Sequence, residues 1–225
     1  MEKITALVPM KGHSERVPNK NLRSFSGKPL YHHILATLLE CPEIDAVYID
    51  TDSNEITQDA AHSFKERVRI LPRPAAICGD FVSMNVIIRY DLSQIPGNFF
   101  LQTPSTNPLL KASTIRKAIR LFFENQESDS LFSVTRRQAR FYDRKGSSIN
   151  HNPQEMLRTQ DLPPLYEENS NLYLFSRESF HRAGLRIGQR PFLFEMPKLE
   201  AIDIDDEMDF KLAETMHQCQ MMVSA

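Results

Sequence analysis

Cysteine is scarce, three residues in 225. Cys41, Cys78 and Cys219 share no short spacing, which excludes a disulfide framework and a zinc knuckle. Three free thiols are expected. Long apolar runs are missing too: none approaches the ~18 residues of a membrane span, and the start Met1-Glu2-Lys3 lacks the basic flank and apolar stretch of a signal peptide. A cytoplasmic protein with no membrane partner is expected. Nor is there an excess of charge of one sign. The 27 Lys and Arg against 29 Asp and Glu give a net charge of −2, which argues against nucleic acid as a partner. Seven glycines and fourteen prolines are too few for a fibrous or disordered chain. What remains is a globular composition, expected to form one domain over residues 1–225 with a sizeable core.

The hydrophobic pattern alternates. Ile4-Thr5-Ala6-Leu7-Val8 reads as a strand buried on both faces and ended by Pro9, 30–39 as a helix, and 46–49 as the next strand. The pattern predicts a helix over 56–64, a strand over 68–71, and a helix over 83–92 with Ser83 as N-cap. A strand at 99–101 precedes the clearest helix, 111–124, where Ile115, Ala118, Ile119 and Phe122 repeat at helical spacing behind Ser113 or Thr114 as cap. A strand at 130–134 follows. Strands alternating with helices imply parallel pairing, hence an α/β class and a three-layer α/β/α architecture. The rhythm breaks over 136–165, which carries Pro153, Pro163, Pro164 and no sustained period. Phe141, Tyr142, Met156 and Leu157 find no core within that insertion, so an arm packed on a partner is expected. Beyond it come strands at 171–175, 192–196 and 201–205, a helix near 177–183, and a last helix from 207 to about 217.

Two segments carry chemistry. Pro9 to Asn21 leaves the carboxyl end of the first strand, where open α/β sheets bind ligands. Gly12 admits close backbone approach, Ser14 adds a hydroxyl, and Lys11, Arg16 and Lys20 place three cations within ten residues, a set suited to a polyphosphate. A solvated surface loop explains the same residues equally well. The loop is neither a Walker A nor a dinucleotide turn, because Gly12 stands alone with no Gly-Lys-Ser/Thr after it. The second segment is Ala201 to Glu207. On a strand, Asp203 and Asp205 point to one face roughly 6 to 7 Å apart, able to share a hard cation such as Mg2+, although a solvated strand end explains the pair equally well; Asp206 reads as the cap of the last helix. Gln102 to Pro108, at another strand's carboxyl end, offers amides and hydroxyls. No Gly-x-Ser-x-Gly elbow or activated cysteine is present, so covalent catalysis is not expected.

The order of these motifs resembles the acylneuraminate cytidylyltransferase family, the enzymes that activate sialic-acid-like sugars. Pro9 to Asn21 followed by Gly27-Lys28-Pro29-Leu30 is similar to that family's Pro-Ala-Arg-Gly-Gly-Ser-Lys-Gly-Ile-Pro-x-Lys-Asn and Gly-Lys-Pro-Leu. Residues 49–56 resemble its Ser-Thr-Asp strand end, and Arg73-Pro74 with Gly79-Asp80 and Ser83 its Arg-Pro segment. Residues 101–110 resemble a longer form of its Leu-Gln-Pro-Thr-Ser-Pro-Leu. Arg158-Thr159-Gln160-Asp161 with Glu168-Asn169 resembles its sugar-facing segment, and Ile202-Asp203-Ile204-Asp205 its metal-binding Ile-Asp-Ile-Asp. The first loop departs from the pattern at Lys11, His13, Glu15 and Arg16.

The resemblance implies a Rossmann-like nucleotide-diphospho-sugar transferase fold with a mostly parallel sheet, and a homodimer joined by the arm at 136–165. It implies transfer of CMP from CTP to the anomeric hydroxyl of a nonulosonic 2-keto-3-deoxy sugar acid, with release of pyrophosphate. It assigns catalytic roles to Lys11, Arg16 and Lys20, and nucleotide binding to Leu7, Pro9, Lys11, Gly12, Ser14, Asn21, Arg73, Asp80 and Ser83. Sugar binding falls to Gln102, Thr103, Arg158, Gln160 and Asn169, and magnesium to Asp203 and Asp205. Two alternatives are a cytidylyltransferase for 3-deoxy-manno-octulosonate and a catalytically silent nucleotide-binding relative.

Overall fold

The computed structural model describes residues 2–155 and 157–224. The chain runs β1 (Ile4–Met10), a small hairpin of β2 (Ser24–Phe25) and β3 (Lys28–Pro29), α1 (Leu30–Leu39), β4 (Ile44–Thr51), α2 (Asn54–Phe64), β5 (Arg69–Pro72), α3 (Met84–Gln94), β6 (Phe99–Gln102), α4 (Ala112–Glu124), β7 (Ser130–Arg137), β8 (Leu165–Ser176), α5 (Arg177–Ala183), β9 (Pro191–Glu195) and α6 (Glu207–Ser224). Among the described residues, seven strands form one sheet in the order β5-β4-β1-β6-β8-β7-β9.

β1 is buried along its whole length because it lies inside the sheet, parallel to β4 on one side and β6 on the other. Its residues alternate between two cores. Ile4, Ala6 and Val8 face α1, α2 and α4, while Leu7 packs with Phe100, Tyr173 and Phe175 against α3 and α5. Helices thus cover both faces, as the alternation implied. Pro9 does not end β1 as expected; the strand continues to Met10, paired there with β4. Pairing with β6 stops at Leu7, and proline is tolerated where a strand has lost the ladder on one side.

The sheet is not wholly parallel: β8 runs antiparallel to both β6 and β7. Two local expectations also fail. α4 starts behind Lys111, not Ser113 or Thr114, and no side chain of its own caps it; a distant residue does, since Glu200 Oε2 accepts from the Lys111 amide at 3.0 Å. Residues 201–205 form no strand. Ile204 is buried in a third core with Val17, Phe25 and Phe210, and its amide donates to Thr106 O at 2.9 Å, so the segment is held by loops instead of a ladder. Asp206 does cap α6, accepting from the amides of Met208 and Asp209.

The 136–165 insertion begins as a ribbon, with Val134 to Arg137 of β7 paired to Leu165 to Glu168 of β8. Its connection is pinned by Asn150, whose side chain donates to Ala139 O and Pro163 O and accepts from the Phe141 amide. Leu162 is buried, but Tyr142, Ile149, Leu157 and Tyr166 are exposed. Met156 lies outside the described residues. The three cysteines are free, and among the described residues no helix is long and apolar enough to cross a membrane.

Candidate functional site

β1 has β4 on one side and β6 on the other, so the loops leaving the carboxyl ends of β1 and β6 diverge. This is the crevice where open α/β sheets take ligands. A cleft of about 290 Å³ opens there, with Pro9, Lys11, Ser14, Arg16 and Lys20 on one wall and Ser105, Thr106 and Asp205 on the other. Loops far apart in sequence therefore meet.

The first wall is anchored from below. Val17 is wholly buried beside Ile204, which ties the β1 loop to the 203–205 segment. Asn21, also buried, donates to Lys11 O at 3.0 Å and accepts from Ser105 Oγ at 2.6 Å, joining the two walls. Gly12 has a structural reason to lack a side chain: a Cβ there would stand 2.8 Å from Ser53 Cβ. Its amide donates to Asp52 Oδ1 at 2.7 Å and is not aimed at the cleft, which differs from the expected role in holding a ligand. Leu7 lies in the core, its carbonyl taken by the Thr103 amide. Pro9 and Ser14 do line the cleft.

Each cation on this wall has a partner. Lys11 pairs with Asp80, and that ammonium holds the Asp80 carboxyl below its ordinary value. Arg16 Nη2 reaches Asp205 Oδ1 at 2.7 Å. Lys20 Nζ donates to Ile204 O at 2.5 Å; burial lowers its pKa, while Asp203 and Asp205 oppose that. The Lys11 and Arg16 pairs are open to solvent and so weakly held, which leaves three cations within reach of one anionic ligand.

Behind Lys11, Arg73 is buried and bonds to Asp50 at the end of β4, with a longer bond to Met10 O. Asp91 of α3 is fully buried and faces Asp50. Among the described residues neither Asp91 oxygen receives a hydrogen bond as a carboxylate, whereas as an acid it donates to Asp50. Burial first, then the Asp50 charge, push its pKa up to about 9. A carboxylic acid thus sits under an ion pair that props the β1 loop. Sequence reasoning missed Asp50 and Asp91, because an aspartate inside a helix gives no hint of what it faces. Ser83 caps α3, accepting from the Asn85 amide.

On the second wall, the Thr106 hydroxyl donates to Asp203. Burial raises the Asp203 pKa, with Thr106 and Lys20 pulling it down and Asp205 pushing it up. Asp205 is near enough to act on Asp203, although the strand that was expected to set their spacing is absent. Among the described residues no group of three or more His, Cys, Asp or Glu is arranged to hold a metal. Magnesium, however, is commonly held by one or two carboxylates completed by substrate phosphates and water. A desolvated Asp203 beside an exposed Asp205 fits that donor set.

The expected sugar-facing residues separate. Gln102 is buried and accepts from Arg186 Nη1 at 2.6 Å. The Thr103 hydroxyl is spent on Asn171 O. Asn169 sits in a bulge of β8, accepting from Ser133 and the Asn171 amide and donating to Thr135, so its amide is committed within the sheet. Arg158 and Gln160 lie exposed in the arm, Arg158 paired with Asp161, and neither lines the cleft. Arg186, flanked by Gly184 and Gly188, gave no motif by which to find it.

A family model described as Cytidylyltransferase matches residues 5–224. Similar curated proteins include the post-translational flagellin modification protein B of Campylobacter coli, 24% identical over 95% of this chain and 94% of that protein. The pseudaminic acid cytidylyltransferase of Campylobacter jejuni is 23% identical over 94% of this chain and 95% of its own length. N-acylneuraminate cytidylyltransferase B of Danio rerio is 26% identical over 93% of this chain, which spans only 50% of that relative. Among solved structures, a CMP:2-keto-3-deoxy-manno-octonic acid synthetase complexed with CTP superposes with a TM-score of 0.69 at 12% identity, covering 97% of this chain and 99% of that one. At that identity the likeness concerns the fold alone.

Proposed function

The chain belongs to the cytidylyltransferase family, and from that premise we propose that it transfers CMP from CTP to the anomeric hydroxyl of a nonulosonic sugar acid, releasing pyrophosphate. The observation that carries this reading is the convergence of Lys11, Arg16 and Lys20 with Asp205 around one cleft at the carboxyl ends of β1 and β6, with Asp203 bound to the cleft-lining Thr106. Direct attack of the sugar oxygen on the α-phosphorus needs no protein nucleophile. It needs charge spread over the phosphates and an oriented attacking oxygen. Lys11 and Arg16 exchange their solvent-exposed acid partners for phosphate oxygens, and Lys20 follows at the floor. Asp203 and Asp205 would hold magnesium, which would supply charge neutralisation and phosphate orientation.

The sugar class is supported by the name of one relative matched over nearly its whole length, a pseudaminic acid cytidylyltransferase, and by the N-acylneuraminate cytidylyltransferases that match over about half of theirs. The octonic acid synthetase shares the fold at 12% identity, so it gives the octulosonate alternative no weight of its own. A second copy of the chain would cover the exposed Tyr142, Ile149, Leu157 and Tyr166 of the arm, making a homodimer. A cytoplasmic location fits the need for CTP. The test is pyrophosphate release with CTP, magnesium and a panel of N-acylneuraminate, pseudaminate and 3-deoxy-manno-octulosonate. Turnover of either nonulosonic acid supports the reading, and exclusive turnover of the octulosonate or of none overturns it.

A further inference from the structure

Arg186 is a largely buried cation with few partners. Its side chain is 19% exposed, and the nearest carboxylate, Glu168, stands 3.9 Å away, beyond hydrogen-bond reach. Glu168 is also taken up by the Tyr173 hydroxyl. Among the described residues the guanidinium donates one hydrogen bond, to Gln102, out of the five that it carries. Its centre lies 3.6 Å over the Tyr173 ring, and its amide is fixed by Asn85 Oδ1 at 3.0 Å. A cation desolvated this far is costly unless an anion completes it. Burial accordingly lowers its pKa, with Tyr173 and Glu168 opposing.

We propose that Arg186 receives the carboxylate of the sugar acid, with Tyr173 as its floor and Gln102 holding one edge of the guanidinium so that the other faces the ligand. The proposal rests on the cytidylyltransferase reading above. Its position suits the role: Gln102 ends β6 and opens directly into the loop that lines the cleft with Pro104, Ser105 and Thr106. In a 2-keto sugar acid, the carboxylate and the anomeric hydroxyl are attached to the same carbon. Fixing the carboxylate therefore decides which oxygen faces the α-phosphorus. A planar guanidinium with adjacent idle donors suits bidentate carboxylate capture, which lysine cannot reproduce. Arg158, to which the sequence resemblance gave a sugar role, lies in the exposed arm against Asp161.

The experiment compares wild type, Arg186→Gln and Arg186→Lys with CTP and the sugar acid found to turn over, and with the methyl ester of that acid. Wild type inactive on every acid would refute the cytidylyltransferase reading and not this assignment alone. With an active wild type, Arg186→Gln is expected to raise the sugar KM tenfold or more while calorimetric CTP affinity stays unchanged, and to treat acid and ester alike. Arg186→Lys should fall between the two. The melting temperature of each variant separates misfolding from lost recognition, and Arg186→Lys carries the comparison if Arg186→Gln unfolds. An Arg186→Gln or Arg186→Lys variant that keeps the wild-type preference for acid over ester overturns the proposal, as does an equal loss of CTP affinity.

Discussion

The Arg16 guanidinium donates to the Asp205 carboxylate at 2.7 Å across 189 positions of chain. A cation assigned to phosphate and an acid assigned to magnesium thus hold each other. Both are more than half exposed, at 65% and 55%, so the pair is worth about 1 kcal/mol at most and yields easily to a polyphosphate.

That exposure sets the expected size of an Arg16 effect. Arg16→Ala should weaken CTP binding by roughly fivefold, near 1 kcal/mol, with the loss shrinking at high salt. Glu15→Ala should be neutral or tighten CTP slightly. Titration calorimetry on both variants decides it, and equal affinities would leave the triphosphate to Lys11 and Lys20.

Asp203 is the more demanding acid, because it is desolvated and receives the Thr106 hydroxyl. Asp203→Ala should reduce turnover by at least about a hundredfold, with circular dichroism and melting close to wild type. Asp205→Ala should do nearly the same. Full activity of both in saturating magnesium would remove the metal assignment.

Asp91 gives the fold a pH signature. Its folded pKa of about 9 lies above the ordinary carboxylate value, so between those limits the folded chain keeps a proton that the unfolded chain has lost. Stability from this group therefore falls as pH rises across that window, by up to about 1.4 kcal/mol per pH unit, and levels off above it. Asp91→Asn cannot titrate. The stability of wild type relative to Asp91→Asn should decline steadily from about pH 5 to about pH 9 in chemical unfolding, and parallel curves would show that Asp91 is ionised in the folded state.

The arm tests assembly. With Tyr142 54% and Tyr166 47% exposed, replacing both by glutamate should convert a dimer at micromolar concentration into a monomer with an unchanged melting transition at low concentration. Light scattering reads the mass. A wild-type chain that is monomeric and active would end the assignment.

The local pattern was enough for most of the fold. Buried β-branched runs gave the strands, and the Ile115–Ala118–Ile119–Phe122 stripe gave α4, since periodicity reports which face a residue buries. The β1 loop and the Asp203–Asp205 pair were legible because their charges cluster within a few residues. Tertiary structure decided the rest. Ile202 to Asp205 looked like a strand because alternation is its signature, yet no neighbouring ladder is there to receive it; Ile204 docks beside Val17 instead. β8 turned antiparallel, which no single-strand pattern encodes. Asn169 was drawn into a bulge, Arg158 was left in the arm, and Arg186 and Asp91 acquired their environments from residues 84 and 41 positions away, Gln102 and Asp50. Sequence by itself determined which side chains carry charge and which face each element buries. Only folding determined which charges meet, because desolvation and pairing depend on neighbours that distant parts of the chain supply.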